Sequence, residues 1–577
     1  MNYLIINIFF VIIAFFIIYQ AQKRFYLSYE TGHKHSTFDF SVSQKMWNGF
    51  EKLIENHFRT IVVFLFLLTV FTSLFKLGEV PYGLNVDEAG MAYDAISIVK
   101  YGTNRYLNAY PVYFKNYGGG QSAMYTYLTA ILIKIFGYGT TIIRLPAVFL
   151  RLITFVSLYF IFKSEFEIDC RKKILLPLFL FSISPYFIMQ SRWGLDCNLL
   201  VGFLSVAVCI LIFAIRSETF KLFFLSGVLF GLTLYTYALS YIIIPVFLLL
   251  ICYYLVNIKK INLYQILSFL LPLFLLAIPL ILFIFVNKGV IPEIHGLITI
   301  PKLDFYRGDE ISFKNIISNF YIIATIFSFD NPSIYGRQLF FNAIPYFGTM
   351  YYFSIPFFGI GIMLSFKKAV QSIINKKFDV NTVFIIWLFS VIFCEFIIFA
   401  PNINKANAIF VPLLYFITIG IFSICNHFKP AFFMIAILFL LNFSMFFHYY
   451  LCHYNYDSRD LLWFATDYVD VVKFSKHLDK KEIHILDNII AEPYIYVLLE
   501  NQVPPYGFRT NNIKVIDNNS EKIYYFRSPD NLKSIILTSY QENNMAFVVS
   551  NKENWSDFFE KYNYKNKVFG KMCVYYK

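Results

Sequence analysis

Long uninterrupted apolar segments constrain this chain more than any other feature of its sequence. Residues 58–75, 220–237, 266–286 and 431–447 are each nearly free of charged side chains. A helix of about 20 apolar residues, rising about 1.5 Å per residue, crosses the hydrocarbon core of a bilayer. Only 15% of the residues are charged, against about 25% in soluble domains. The sequence therefore predicts a polytopic α-helical membrane protein, because a soluble fold would have to bury every one of these segments.

The net charge of +13 does not indicate nucleic-acid binding. The Lys and Arg residues lie between the apolar segments, where charges beside a membrane are usually found. The eight cysteines form no CxxC pair and show no metal-ligand spacing. We therefore interpret them as small residues of the packed core. The first apolar segment has no basic residue before it and no small-residue cleavage site after it, so we interpret it as a retained span.

Charge asymmetry predicts how the spans are oriented. If residues 124–139, a short segment containing Lys134, do not cross, the basic loops fall on one side and the sparsely charged short loops on the other. If they crossed, the downstream loops would change sides. We therefore expect 124–139 to be an interfacial or re-entrant helix, with the N-terminus and the C-terminal region both outside the cytoplasm. Twelve spans are predicted, near residues 3–19, 60–77, 142–162, 173–190, 198–215, 221–236, 240–257, 264–286, 341–365, 381–400, 406–426 and 430–449.

The pattern of the sequence changes after residue 450, where the long apolar segments end and short strand-like and helix-like segments alternate. This alternation predicts a small α/β domain of about 125 residues. It contains no GxGxxG, P-loop or Ser-His-Asp arrangement, so we expect it to recognise an acceptor or to cover a membrane site. The chain thus divides into an N-terminal span with a basic cytoplasmic loop (1–59), a membrane domain (60–450) and an extracytoplasmic domain (451–577). The predicted strands are 482–486, 514–517, 522–526, 534–539 and 545–550, and the predicted helices are 466–481, 493–502 and 555–564.

The first long outer segment carries the sharpest motif, GLNVDEAGMAYDA, which places Asp87 and Glu88 side by side beyond the second span. A solvated acidic loop is the plainer reading of this pair. The stretch at 101–128 is rich in Tyr, Asn and Gly, and such side chains offer stacking faces and hydrogen bonds that suit a sugar. An aromatic belt at the membrane surface is its plainer reading.

Two short outer segments carry the next polar residues. The motif SRWGLDCN holds Arg192 and Asp196, which are four residues apart and compatible with a local ion pair. The motif NINKAN holds Asn404 and Lys405 at the outer end of a span, where an interfacial lysine is common. All of these motifs converge on the predicted outer face.

In this order, VDEA, YPVYFKNYGG, GYGTTIIRLPA, SRWGLDCNL and NINKANAIFVPLL resemble the GT-C membrane glycosyltransferases. The nearest resemblance is to bacterial relatives of the protein O-mannosyltransferases and of the aminoarabinose lipid A transferases, over about residues 60–450. It implies a GT-C fold and a sugar donor linked to a polyprenyl phosphate or pyrophosphate. It matches Asp87 to the first-loop acid of the family, Asp196 to the acid of the second outer loop, and Lys405 to a basic residue after the Asn-rich motif.

The resemblance also implies roles for these side chains. Asp87 is the predicted general base, and Glu88 assists or orients it. Cations are expected at the leaving phosphate, and direct displacement predicts inversion at the anomeric carbon. Alternatively, Asp87, Glu88 and Asp196 hold a divalent cation such as Mg or Mn, although we expect no metal. The predicted phosphate ligands are Lys115, Arg192 and Lys405, with Arg307 and Arg337 behind them, and the predicted substrate contacts are Asp196, Tyr113, Tyr125 and Asn404.

Three other functions stay open from the sequence. A flippase for lipid-linked sugars explains the spans, but the chain shows no internal repeat and its polar residues gather on one face. A polysaccharide polymerase or ligase fits the paired Arg307 and Arg337 of the second long outer loop. A non-catalytic scaffold fits less well because the acids are present. The expected partners are a polyprenyl-phosphate-linked sugar, the bilayer of the cell membrane, and an envelope acceptor that is a protein, lipid or glycan.

Overall fold

A computed structural model describes residues 3–31, 41–117, 119–165, 171–327, 342–344, 346–459, 464–510, 513–539, 542–551 and 555–577. Arg337, predicted as a phosphate ligand, lies outside the described residues. Within these ranges, ten helices are long and apolar enough to cross a membrane. The chain is therefore a multi-pass membrane protein, as its apolar segments predict.

The membrane domain is almost entirely helical, with one short hairpin of β1 (Tyr113–Phe114) and antiparallel β2 (Gln121–Ser122). Its helices are α1 (Tyr3–Thr31), α2 (Ser41–Leu74), α3 (Val86–Tyr101), α4 (Ala123–Phe136), α5 (Thr140–Glu165), α6 (Arg171–Ile183), α7 (Pro185–Gln190), α8 (Cys197–Ser217), α9 (Phe220–Thr233), α10 (Ser240–Asn257), α11 (Leu263–Asn287), α12 (Asn315–Ser318), α13 (Ile322–Thr325), α14 (Ile355–Ile374), α15 (Val380–Ile397), α16 (Phe410–His427) and α17 (Ala431–Cys452).

Two predicted spans correspond to shorter helices than expected. The span at 173–190 divides into α6 and α7 at Ser184, whose extended backbone precedes Pro185. The span at 221–236 corresponds to α9, which ends at Thr233 in a series of turns. A third prediction is misplaced, since the span expected to begin at 341 forms α14 only from Ile355, with a proline in its first turn.

The N-terminal helix α1 is part of the bundle. Its small and branched side chains Ala14, Ile17 and Ala21 are buried, and the helix packs against α16 and α17. The chain then kinks within α2 at His57, where the backbone leaves helical geometry. The membrane-length part of α2, Glu51–Leu74, includes this kink near its start.

The C-terminal domain has the predicted α/β character. Its elements are α18 (Tyr454–Arg459), α19 (Thr466–His477), β3 (Glu482–Leu486), α20 (Tyr494–Asn501), β4 (Phe508–Arg509), β5 (Lys514–Asp517), β6 (Lys522–Arg527), α21 (Pro529–Ser539), β7 (Met545–Ser550), α22 (Ser556–Glu560), β8 (Lys565–Phe569) and β9 (Met572–Tyr576). The strands form a seven-stranded sheet in the order β4-β5-β6-β3-β7-β9-β8. Strand β3 is parallel to β6 and β7, and the other pairs are antiparallel.

One predicted strand in this domain is wrong, because residues 534–539 belong to helix α21. The adjacent β-branched residues Ile535 and Ile536 favour a strand when the sequence is considered alone. The helix instead starts at Pro529, a favoured first position. It buries Leu532 and Ile536, which lie four residues apart on one helical face.

The C-terminal domain packs directly on α3. The Tyr496 hydroxyl donates to the Leu84 carbonyl at 3.1 Å, and the Tyr93 hydroxyl donates to the Val503 carbonyl at 2.7 Å. Helix α3 therefore lies between the membrane helices and the sheet domain, and its first turn carries the acidic motif.

Candidate active site

The N-terminus of α3 fixes the two acids of the VDEA motif in different environments. Asn85 caps the helix, accepting from the Asp87 backbone N–H at 3.0 Å, and the Glu88 side chain completes a capping box by accepting from Asn85. Successive residues of a helix project about 100° apart. Asp87 and Glu88 therefore face different neighbours, although they are adjacent in the sequence.

Glu88 is fully engaged with the protein. Its carboxylate accepts from Arg144 Nε at 2.8 Å and from the Gly194 backbone N–H at 2.7 Å, and the side chain has no exposed surface. It does not line the cavity described below. Its position is that of a buried anchor for the loop before α3, which is compatible with the orienting role predicted for it and leaves it away from the cavity.

Asp87 faces a cavity of about 450 Å³ between the connecting loops and the ends of the membrane helices. The Asn116 amide donates to its carboxylate at 3.3 Å. Burial raises the pKa of Asp87 above its ordinary value of 3.8, while the nearby charges of Arg307 and Arg105 act in the opposite direction. The cavity therefore holds a carboxyl group with a raised pKa, which suits a group that accepts a proton.

Asp196 lines the same cavity. It is the N-cap of α8, and its two oxygens accept from the backbone N–H groups of Ser122 at 3.0 Å and Cys197 at 2.7 Å. Burial, together with the nearby charge of Asp87, raises the pKa of Asp196 to about 7, although these two hydrogen bonds lower it. The Asp196 carboxyl group thus changes charge near neutral pH, and it remains at the cavity as a hydrogen-bonding group for a bound substrate.

Arg307 and Lys405 bring positive charge to the cavity. A Cβ atom on Gly119 would lie 3.3 Å from Arg307 Nε, so the guanidinium rests against the loop between β1 and β2. Among the residues that the structure describes, none forms a hydrogen bond or ion pair with this guanidinium. Lys405 Nζ donates to the Phe399 carbonyl at 2.6 Å. Arg307 is therefore available to a ligand, and Lys405 has donors left for one.

Tyr113 and Asn404 also line the cavity, as predicted for substrate contacts. The Tyr113 ring stacks on Phe283 with centroids 4.5 Å apart. The hairpin needs glycine at position 120, where φ is +144° and a Cβ atom would come within 2.6 Å of the Tyr113 ring. Asn404 accepts from the Asn342 amide at 2.8 Å, which orients its side chain at the cavity wall.

Arg192 is the main correction among the predicted phosphate ligands. Its side chain is fully buried and does not line the cavity. The guanidinium donates to five backbone carbonyls at 2.8–3.0 Å, all at the end of α2 and in the turn that follows. It does not pair with Asp196, since the carboxylate accepts backbone N–H groups instead. Arg192 satisfies the free carbonyls that every helix end leaves.

Lys115 and Tyr125 likewise lie away from the cavity lining. Lys115 Nζ forms an exposed ion pair with Asp304 at 2.6 Å. The Tyr125 hydroxyl is buried and donates to the Ile143 carbonyl at 2.9 Å. Lys115 fastens the segment after α11 to the segment between α3 and α4, and Tyr125 joins α4 to α5.

Several cavity residues were not among the predicted site residues, although Asn116 and Tyr117 lie in the Tyr-, Asn- and Gly-rich stretch at 101–128 and Asn402 lies in the NINKAN motif. They come from four separate parts of the chain, and amide and aromatic residues are common near membrane surfaces, so no local pattern distinguishes them. A buried ion pair behind Asp87 was also missed, in which Arg105 and Asp94 lie 2.8 Å apart. The additional polar and aromatic lining residues are Asn116, Tyr117, Tyr237, Tyr241, Tyr306, Glu310 and Asn402.

The alternative metal site does not assemble from its three predicted ligands. Glu88 is paired with Arg144 and does not line the cavity, whereas Asp87 and Asp196 do. Among the described residues, no group of three His, Cys, Asp or Glu side chains is arranged to hold a metal ion. The set Asp87, Glu88 and Asp196 therefore does not fit a divalent cation.

An apolar groove of about 760 Å³ adjoins the polar cavity. It runs between α8, α9, α10 and α11, and Tyr241 and Ile284 line both spaces. The polar cavity thus continues into a membrane-embedded space lined by side chains such as Leu248, Phe269 and Leu273. A molecule with a polar head and a long apolar tail matches this combination.

The chain is similar to one protein family in part of its sequence and to several solved structures in its fold. Residues 121–286 match the family model described as dolichyl-phosphate-mannose-protein mannosyltransferase. The structure of ArnT from Cupriavidus metallidurans bound to undecaprenyl phosphate is similar, with 10% identity, 90% of this chain and 97% of that chain covered, and a TM-score of 0.51. The chain has the GT-C fold. The predicted resemblance to this class of membrane glycosyltransferases is thereby confirmed.

Two further structures belong to the same comparison. ArnT from Cupriavidus metallidurans in the apo state has 10% identity, with 90% of this chain and 98% of that chain covered and a TM-score of 0.51. The archaeal oligosaccharyltransferase AglB from Archaeoglobus fulgidus, in complex with an inhibitory peptide and a dolichol-phosphate, has 11% identity, with 88% and 71% covered and a TM-score of 0.48. No curated protein matches the chain by sequence. At these identities the likeness concerns the fold alone.

Proposed function

We propose that this protein is a glycosyltransferase that moves a sugar from a polyprenyl-phosphate donor to an acceptor of the cell envelope. One observation carries the proposal. A single cavity brings Asp87 together with the cations Arg307 and Lys405, and this cavity opens into an apolar groove between membrane helices. The polyprenyl chain would lie in the groove, and its phosphate and sugar would lie in the cavity.

The proposed chemistry is a direct displacement. The acceptor's hydroxyl or amide group attacks the anomeric carbon, and Asp87 takes the proton that this group loses. The bond between the anomeric carbon and the phosphate oxygen breaks, and both of its electrons leave with the phosphate. Arg307 and Lys405 stabilise the charge that develops on the leaving oxygen. Attack opposite the leaving group inverts the configuration at the anomeric carbon.

The remaining cavity residues hold and orient the substrates in this proposal. Asp196 and Asn404 offer hydrogen bonds to sugar hydroxyls, and the Tyr113 ring offers an apolar face for the sugar ring. No step is routed through a metal ion, because the three carboxylates suited to one do not converge. The charge asymmetry of the loops supports an extracytoplasmic cavity and C-terminal domain.

The test compares envelope glycans in cells that carry the wild-type protein and in cells that carry Asp87→Asn. Mass spectrometry should find one glycosylated product that requires the wild-type chain and is missing with the variant. A purified-protein assay with a labelled polyprenyl-phosphate sugar then separates transfer from transport. Label that crosses a vesicle membrane without becoming attached to an acceptor would contradict the proposal and favour a flippase.

A further inference from the structure

One face of α3 runs from the cavity into the interior of the protein. Asp87, Gly90 and Asp94 lie on this face, because they are spaced three and four residues apart along the helix. Asp87 lines the cavity, whereas Asp94 is only 1% exposed. The loop after α3 and the turn between β1 and β2 supply the side chains that meet this face.

Arg105 is fixed at the buried end of the face by Asp94. Its Nε and Nη2 atoms donate to the Asp94 carboxylate at 2.8–3.2 Å, and its backbone N–H donates to the same carboxylate at 3.0 Å. Charge-assisted hydrogen bonds in such a paired arrangement restrict the guanidinium strongly. Arg105 is therefore a fixed positive charge beside the backbone of α3.

Gly90 allows Arg105 and two further side chains to meet at the helix. A Cβ atom on Gly90 would lie 2.8 Å from Arg105 Nη2, 3.0 Å from Asn116 Oδ1 and 3.2 Å from Tyr117 Oη. Because glycine has no side chain, these polar atoms can approach the helix backbone closely. Any other residue at position 90 would displace them.

Asn116 connects this cluster to Asp87. Its Nδ2 atom donates to Asp87 Oδ1 at 3.3 Å, and the Tyr117 hydroxyl beside it donates to the Val86 carbonyl. The amide nitrogen of Asn116 thus meets the carboxylate, while its oxygen lies on the side of Arg105. The reverse orientation would place the NH₂ group by the guanidinium and the oxygen by the carboxylate, and both contacts would be repulsive. Arg105 therefore fixes which end of the amide faces Asp87.

We propose that Asn116 is a positioning residue, whose amide holds the Asp87 carboxylate in the orientation that takes the proton from the acceptor. The inference rests on the proposed function, in which Asp87 is the base. Asn116 acts through Asp87 and itself takes no proton. Small misplacements of a reacting group lower a rate strongly, so this hydrogen bond should contribute to the rate of transfer more than to binding of the donor.

The hydrogen bond should also influence the protonation of Asp87. Burial raises the pKa of Asp87, and the charges of Arg307 and Arg105 oppose this rise. A hydrogen bond donated to the carboxylate favours its charged form, so removal of the Asn116 amide should raise the pKa further. The other titratable groups that interact with Asp87 are Asp196 and Cys197 at the start of α8, Tyr117 between β1 and β2, and Tyr496 in α20.

The test compares wild type with Asn116→Ala as purified full-length proteins. Transfer is measured from pH 4 to pH 9 with a labelled polyprenyl-phosphate sugar and the acceptor that the comparison of envelope glycans identifies. The variant should have a kcat about 10- to 100-fold lower, an unchanged donor KM, and an acidic limb about one pH unit higher. Asn108→Ala is the matched control, because Asn108 lies in the same connecting segment but does not line the cavity. It should keep the wild-type rate and profile.

Two further comparisons separate positioning from a general loss of structure. Because Asn116 acts through Asp87, adding Asn116→Ala to Asp87→Asn should not reduce the residual transfer further. Gly90→Ala favours the helix but would displace Arg105 and Asn116, so it should change the rate and the acidic limb as Asn116→Ala does. Gly359→Ala is its control, since this helical glycine has open space around it, and it should change neither.

The outcomes distinguish this inference from the function on which it rests. If wild type transfers no sugar, or if Asp87→Asn transfers at the full rate, the role of Asp87 fails and this inference fails with it. If Asp87→Asn is strongly impaired but Asn116→Ala keeps the wild-type rate and acidic limb, only the role of Asn116 is overturned. The same holds if Asn116→Ala lowers the residual transfer of Asp87→Asn as much as it lowers that of wild type.

Discussion

Glu88 and Arg144 form a fully buried ion pair, with Arg144 Nε 2.8 Å from Glu88 Oε1. The same guanidinium donates to three backbone carbonyls of the loop before α3, at 2.8–2.9 Å. The pair therefore fastens the loop before α3 to α5 and sets the orientation of the first turn of α3. Because Glu88 holds this turn, its neighbour Asp87 is directed towards the cavity.

The buried pair predicts a large effect on stability. Glu88→Gln should destabilise the protein by about 3–5 kcal/mol, because it leaves the Arg144 charge buried without its partner. Thermal unfolding of the purified protein in detergent measures the change. Glu79→Gln is the control, since Glu79 lies in the same loop but is exposed in a long ion pair with Lys76, and it should change stability by less than about 1 kcal/mol. Equal unfolding temperatures for the two variants would contradict the anchoring role of Glu88.

The other acid of the motif should show the opposite behaviour. Asp87→Asn should reduce the transfer rate by about 10²–10⁴-fold through loss of the base, with little change in thermal unfolding. Binding of undecaprenyl phosphate should persist, because the cations remain. Asp304→Asn, at an exposed acid paired with Lys115 outside the cavity lining, should keep nearly full transfer. Full transfer by Asp87→Asn would remove this residue from the mechanism.

The pKa shift of Asp87 predicts how activity depends on pH. The base works only when it is deprotonated, so transfer should fall as pH drops through its pKa, which burial has raised above 3.8. The nearby Arg307 charge holds this pKa down, so Arg307→Gln should move the acidic limb of the profile to higher pH. The measurement is the transfer rate at saturating donor from pH 4 to pH 8. An acidic limb that stays in place in Arg307→Gln would contradict the predicted electrostatic contact.

The predicted cations should separate into two groups. Lys405→Ala and Arg307→Gln should raise the KM for the lipid donor while leaving thermal unfolding nearly unchanged, because both side chains face the cavity. Arg192→Gln should lower the unfolding temperature, because buried carbonyls of the loop after α2 would lose their hydrogen-bond donor. It should leave the donor KM of the folded protein unaltered. A raised donor KM with unchanged stability in Arg192→Gln would restore it as a phosphate ligand.

Chelation tests the absence of a metal step in the proposed mechanism. Since Glu88 is turned away from Asp87 and Asp196, treatment of the purified protein with a chelator should leave the transfer rate unchanged. Adding Mg²⁺ or Mn²⁺ afterwards should give no increase. A loss of transfer that either ion restores would show that a metal is used with ligands other than this triad.

Local sequence was sufficient to predict some of this site. Asp87 lies in the first turn of α3, two positions after its capping residue, and Asp196 is the N-cap of α8, so both are held at helix starts. The strands at 482–486, 514–517 and 545–550 agree with the structure to the residue. In each case neighbouring residues supply the decisive pattern.

The role of each arginine could not be predicted in this way. Arg192 and Arg307 both lie in loops between membrane helices, yet one is enclosed by five backbone carbonyls and the other faces an open cavity. The carbonyls come from residues more than 100 positions earlier in the chain. Nothing near an arginine in the sequence specifies such distant partners, and the same holds for Lys115 and its contact with Asp304.

The sequence by itself determined that this chain lives in a membrane and that its acids gather at the ends of its spans. A bilayer imposes that outcome, because about 20 apolar residues in a row have no other favourable environment. Only the tertiary structure decided that Asp87 faces the cavity while Glu88 holds Arg144, and that Arg192 is enclosed by backbone carbonyls while Arg307 lines the cavity. These assignments depend on which side chains meet after distant segments pack, and the free energy of burying or pairing a charge is set by that packing.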